Sequence, residues 1–163
     1  RGASVRGVHA GALAVYSASA YELQRQGDGS LLEVDNLTAS DGAEFDLFVF
    51  TLSLSGDPAL VGSRGDSNFS GSAYVFERQG DGSWLEVFKL TASDGAADDQ
   101  FGRPVALSGT RALVGAQFHD DLGSNSGSAY GVERQGDGSG REVEKLTASD
   151  GADVDLFCVK VSR

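Results

Sequence analysis

One 27-residue block is written three times in this chain: SASAYELQRQGDGSLLEVDNLTASDGA from Ser17, SGSAYVFERQGDGSWLEVFKLTASDGA from Ser70 and SGSAYGVERQGDGSGREVEKLTASDGA from Ser126. The second and third copies agree at 22 of 27 positions. Such recurrence specifies a repeat architecture, in which each unit buries its apolar face against the next. It constrains the fold far more than the function, because nothing in the block spells a reaction.

The spacing sets the unit. Tyr21, Tyr74 and Tyr130 are 53 and 56 residues apart, and Phe48, Phe101 and Phe157 show the same two intervals, so insertions fall between matched blocks. This period is too long for the common helical-pair repeats and suits a four-stranded blade, at about five or six residues per strand plus turns. The 23 glycines and short β-type runs argue against helices.

Within the middle unit, residues 51–55, 59–62, 71–78 and 84–92 read as four successive strands. Gly80-Asp81-Gly82 is the hairpin turn between the last two. Alternation puts Ala73, Val75 and Glu77 on one face of the third strand and Tyr74, Phe76 and Arg78 on the other. In the fourth strand Val34, Val87 and Val143 are apolar in every copy, as are Leu37, Leu90 and Leu146, so both sets are expected to face the core. Phe88 is replaced by Asp35 and Glu144 and is expected to face water. Trp84 is matched by Leu31 and Gly140, so the third copy has lost apolar surface at one strand end.

Residues 12–16 resemble a second strand, and DLFCVKVS from Asp155 corresponds to DQFGRPVA from Asp99. The resulting division is a partial blade over 1–47, blades over 48–100 and 101–156, and the opening strand of a further blade over 157–163. The expected fold is all-β, about three four-stranded antiparallel blades incomplete at both ends. Phe157, Val159 and Val161 form the apolar face of an opening strand that a neighbouring subunit would complete, with Ala12, Ala14 and Tyr16 near the receiving edge.

Composition excludes some functions. Thirteen Lys and Arg against 24 Asp and Glu leave a formal charge of -11, which repels phosphate backbones and argues against nucleic acid. No apolar run approaches the roughly 18 residues of a membrane span. With no methionine, the chain reads as processed or as a piece of something longer. Cys158 is the only cysteine, so no disulfide forms within the chain, and burial is the expected fate of its thiol.

The segments FGRPVALSGTRALVGA from Phe101 and LSLSGDPALVGS from Leu52, each followed by a polar loop and SGSAY, resemble the FG-GAP repeat, the blade of integrin α-subunit propellers and of many extracellular repeat proteins. The resemblance covers nearly the whole chain and implies a propeller-type fold on the cell surface or outside it, without implying an enzyme. This sequence departs from the pattern in two ways. Phe101-Gly102 keeps the Phe-Gly pair, but the matching positions read Phe48-Val49 and Phe157-Cys158. The Asp-rich calcium loop of the integrin type is reduced to Ser55-Gly56-Asp57-Pro58 and Ser108-Gly109-Thr110-Arg111.

Several residues remain as candidates for chemistry. Asp94, Asp98 and Asp99 share one turn between blades, with Asp41, Glu44 and Asp46, and Asp150, Asp153 and Asp155, at the matching places. Calcium is the cofactor such oxygen-rich loops would take, given six to eight converging oxygens, while solvated turn carboxylates are the plainer reading. His119-Asp120-Asp121 lacks a second ligand of known spacing. Arg64-Gly65-Asp66 spells the tripeptide read by some integrins, in a loop expected to be exposed. Asn36-Leu37-Thr38 and Asn68-Phe69-Ser70 are N-glycosylation sequons. No catalytic motif is present.

The sequence therefore points to a non-enzymatic extracellular structural or adhesive protein. Its expected partners are copies of itself, joined into a filament or ring, together with glycans or cell-surface proteins. The alternative is a carbohydrate- or ligand-binding propeller, a fragment of a longer chain, with Tyr21, Tyr74, Tyr130 and Trp84 as stacking groups.

Overall fold

A computed structural model describes residues 4–8 and 19–158. Its strands are β1 (Ser4–Val8), β2 (Ala20–Arg25), β3 (Leu31–Leu37), β4 (Phe48–Leu54), β5 (Pro58–Ser63), β6 (Ser72–Arg78), β7 (Trp84–Leu90), β8 (Phe101–Ser108), β9 (Arg111–Ala116), β10 (Ser128–Arg134) and β11 (Gly140–Leu146). They form three antiparallel sheets, β1-β2-β3, β4-β5-β6-β7 and β8-β9-β10-β11, so chain order is also spatial order. The all-β, blade-like architecture read from the repeat is the one observed. β1 lies beside β2, and the strand expected over residues 12–16 falls outside the described residues.

The repeated Gly-Asp-Gly-Ser closes the outer hairpin of each sheet. Gln79 N–H donates to the Ser83 carbonyl and Gly82 N–H to the Gln79 carbonyl, at 2.7 and 2.9 Å. Asp81 Oδ1 accepts from the Ser83 N–H and hydroxyl at 3.0 and 2.7 Å, and Asp28 and Asp137 treat Ser30 and Ser139 the same way. Gly82 holds φ 92, a conformation that costs an L side chain strain. These three acids are used up locally, within their own turns.

The apolar clusters lie between sheets. One joins Ala20 and Leu37 of the first sheet to Phe48, Ala59, Val61, Tyr74 and Phe76 of the second. The other joins Leu60, Ala73, Val75 and Leu90 of the second to residues of the third that include Phe101, Val114 and Tyr130. β6 thus shows alternate side chains to different neighbours, as its two-residue period requires. The middle sheet is buried on both faces.

One expectation fails in the outer strand of each sheet. Val75 lies opposite Phe88 but Phe76 lies opposite Glu86, which leaves Val87 as the extra residue of a bulge; Val34 and Val143 hold the same place in their sheets. A bulge adds one residue to a two-residue period and so reverses the faces beyond it. Accordingly Val34 and Val143 are exposed, Leu146 is 40% exposed, and Phe88 packs inward against the second cluster instead of facing water. Leu37 and Leu90 are buried as expected.

The third sheet is laid against the second through its first strand. Phe101 N–H donates to the Ser70 carbonyl and the Thr51 hydroxyl to the Gly102 carbonyl, both at 2.8 Å. Gly102 holds φ 92, and a Cβ there would collide with the Ser72 carbonyl. Val49 and Cys158 occupy the matching positions at φ 63 and 68. Phe157 follows the path of Phe101, its N–H donating to the Ser126 carbonyl at 2.8 Å.

Candidate functional site

The first two Ser-Asp-Gly-Ala turns each reach into the next sheet. Asp41 accepts from the Tyr74 hydroxyl at 2.8 Å and from the Lys89 ammonium at 2.6 Å. Ser40 donates through its N–H and hydroxyl to Glu86, at 2.8 and 2.9 Å. One repeat later Asp94 accepts from Tyr130 at 2.8 Å and from Lys145, while Ser93 donates to Glu142 at 3.2 and 3.0 Å. A second acid closes on each lysine, Asp66 on Lys89 and Asp121 on Lys145, and these acids accept from the Ser72 and Ser128 hydroxyls. Arg78 and Arg134 pair back to Glu22 and Glu77 of the preceding sheet. The recurring Ser-Asp turn, tyrosine, lysine and glutamate of the block, with one acid from the loop before it, are therefore the parts of one latch, built twice.

Its electrostatics are self-contained. Tyr74 and Tyr130 are fully buried, and burial holds both hydroxyls above their ordinary range, so they remain donors. Burial alone would push Lys89 and Lys145 down, but the paired carboxylates outweigh it and hold both ammonium groups above their ordinary value. Asp41 is kept low chiefly by Lys89. Burial pushes Asp66, Asp94 and Asp121 up, yet the lysine and hydroxyl donors bring each below the usual carboxylate range.

His119 enlarges the second latch. Its Nε2 lies 3.6 Å from both Asp94 and Asp99, and its Nδ1 lies 3.5 Å from Asp121. The ligand atoms of Asp94, His119 and Asp121 fall within 4.8 Å of one another. Of the acids singled out from sequence, Asp94 is inside this group. Asp99 is buried beside it and accepts from Ala96 N–H at 2.7 Å, while Asp98 is exposed and outside it. Sequence reading did not place His119 and Asp121 with Asp94, because they come from the loop after β9 in the next unit. Calcium prefers six to eight oxygens, whereas here an ammonium already sits between two carboxylates beside an imidazole.

The FG-GAP repeat model matches residues 32–76 and 84–132. The chain belongs to the FG-GAP repeat family. It is a β-propeller-like repeat domain of a family that is generally non-enzymatic and typically found in extracellular or surface proteins. No curated protein matches it. Among the described residues no helix is long and apolar enough to cross a membrane.

In this FG-GAP chain the other singled-out residues lie as follows. Asn36 and Asn68 are exposed. Phe157 is half-buried, and Val159 and Val161 lie outside the described residues. Arg64-Gly65-Asp66 is folded inward instead of being displayed: Gly65 and Asp66 are buried, with Asp66 held by Ser72 and Lys89. Tyr74 and Tyr130 are closed to a stacking sugar, and the Trp84 indole N–H is already donated to Glu22 at 2.8 Å.

Proposed function

We propose that this FG-GAP chain is an extracellular structural or adhesive module whose sheets join face to face, so that copies add head to tail into a filament or ring. The observation that carries this reading is the latch itself, whose Ser, Asp, Tyr, Lys and Glu partners recur at two successive interfaces and which leaves one unmet half at each outer face. Ser149 and Asp150 repeat Ser40-Asp41 and Ser93-Asp94, are exposed, and have no partner among the described residues. At the other face Glu33 is exposed in the place of Glu86, and Tyr21 is half-buried in the place of Tyr74. Leu113 and Val143 line an open groove of about 500 Å³ on the third sheet, where Leu60 and Val87 of the second are covered.

Two complementary half-latches on one chain make a heterologous contact, which either closes into a ring or runs on as a fibre. Phe157 is already bonded to Ser126 of its own chain. That favours docking of whole faces over donation of the strand bearing Phe157, Val159 and Val161. Glycans at Asn36 and Asn68 would sit on exposed surface, and cell-surface proteins are the further partners of an adhesive module. Light scattering over a dilution series, with electron microscopy of the same sample, tests the reading. Regular rings or filaments that weaken in Asp150→Ala support it, and a monomer at every concentration rejects it.

A further inference from the structure

Two partly buried arginines of this acidic chain meet over one phenylalanine without a carboxylate partner among the described residues. Arg64 follows β5 and Arg103 is in β8, and their guanidinium carbons lie 4.3 and 4.9 Å from the centre of the Phe50 ring. Both send Nη1 to one acceptor, Gln100 Oε1, at 3.0 and 3.2 Å. Arg78, Arg111 and Arg134 each pair with a glutamate. Among the described residues neither Arg64 nor Arg103 has a carboxylate partner. Arg64 Nε is buried with no acceptor at all.

A guanidinium offers five N–H donors in a planar fork, and one neutral amide oxygen satisfies only a fraction of ten. Burial, and then the charge of Arg103, hold Arg64 below its ordinary pKa, as expected of two cations brought together without an anion. Stacking on Phe50 accounts for one arginine over a ring, but it supplies no acceptor for the unmet donors. The place is reachable, since Phe50 is 42% exposed and both arginines are only partly buried.

We propose that Arg64 and Arg103 form a binding site for a carboxylate group, seated against the two guanidinium forks beside Phe50. A carboxylate supplies two oxygens in a plane that matches the fork, whereas a halide supplies no direction. The carboxylate belongs either to a small organic acid or to a uronic acid unit of a polysaccharide, and the two sources are separable by experiment. The site lies between the second and third sheets, away from the outer faces, and does not depend on head-to-tail assembly.

The test is a titration of the intact chain, followed through the arginine Nε–Hε signals in ¹H–¹⁵N spectra, with sodium acetate, sodium glucuronate and sodium sulfate at an ionic strength fixed by sodium chloride. The Arg64 and Arg103 signals are expected to shift saturably with both carboxylates, at half-saturation on the order of millimolar. Tighter binding of glucuronate identifies a sugar acid, and equal binding a free acid. Arg64→Gln and Arg103→Gln should each weaken the response by about 10-fold. Arg103→Lys, which keeps the charge and the fold but loses the fork, should weaken it as well. Arg111→Gln should leave it unchanged. Absence of a saturable shift with either carboxylate in the native chain, preference for sulfate, or full retention of binding in Arg103→Lys overturns the proposal.

Discussion

The Cα of Gly140 faces the ring of Phe88 across the interface between the second and third sheets, so closely that a Cβ would strike Phe88 Cε2 and Leu90 Cδ2. One interface earlier, Trp84 stands where Gly140 does and Asp35 stands where Phe88 does. There the Trp84 backbone N–H donates to Asp35 and its indole N–H to buried Glu22, both at 2.8 Å. The missing side chain of the third copy is thus room made for Phe88. The two interfaces share a latch and differ in what fills the gap beside it.

This pairing predicts non-additivity. Gly140→Trp alone should destabilise the chain by about 1 to 3 kcal/mol through overpacking. Combined with Phe88→Asp, which recreates the Asp35–Trp84 pair, part of that loss should return, with a coupling of at least about 1 kcal/mol in a double-mutant cycle measured by urea unfolding. Simple additivity would show that the two positions do not answer each other.

The latch predicts an acid limit. Asp41, Asp66, Asp94 and Asp121 all have folded-state pKa values below their ordinary ones. The stability they contribute is present above the unfolded carboxylate pKa of about 4 and is lost as pH falls through the lower folded values. Urea midpoints should therefore be flat from neutral pH to about 5 and decline below about 4.

Removing the cation should reverse the sign. In Lys145→Met the Asp94 and Asp121 carboxylates lose the ammonium between them, and proton uptake by one relieves their repulsion. This variant should be less stable than the native chain at pH 7 and should gain stability on going to pH 5, where the native chain does not. Parallel pH profiles for the two would remove Lys145 from the latch.

Gly102→Val tests the strand junction. A side chain at φ 92, driven against the Ser72 carbonyl, should cost roughly 2 kcal/mol or more. The Ala variant, which adds one methyl group in the same conformation, should lose most of that amount. A thermal midpoint unchanged in both variants would show that the junction tolerates a Cβ.

Asn36 occupies the first-sheet position that Lys89 and Lys145 hold in the other two. Asn36→Lys should supply the ammonium donor that the latch lacks at that face and lower the concentration at which copies associate, by about 10-fold, as read by light scattering. A glycan on Asn36 should do the opposite by covering the face. No change in association with the lysine in place would separate assembly from the latch.

Repeat spacing, strand order and hairpin chemistry were legible because each rests on local rules: alternation in β6, and Gly-Asp-Gly-Ser closing on itself. The roles of Tyr74, Tyr130, Lys89 and Lys145 were not, because their partners lie one repeat away and a single copy of the block does not say which neighbour it faces. Val34 and Val143 misled for another reason. Their recurrence with Val87, which does pack against the core, looked like a shared role, but a bulge had already broken the period that makes such counting work. Likewise the meeting of Asp94 with His119 depends on a loop whose length differs between copies.

Those bulges bear on more than face assignment. β3, β7 and β11 are the outermost strands of their sheets, and each carries the extra valine partway along its length. A rim bent in this way offers a broken row of amide and carbonyl groups and is a poor template for a foreign strand. Molecules crowded side by side can then recognise one another through their faces while their rims stay indifferent, so that order in one direction does not become a tangle in the other two.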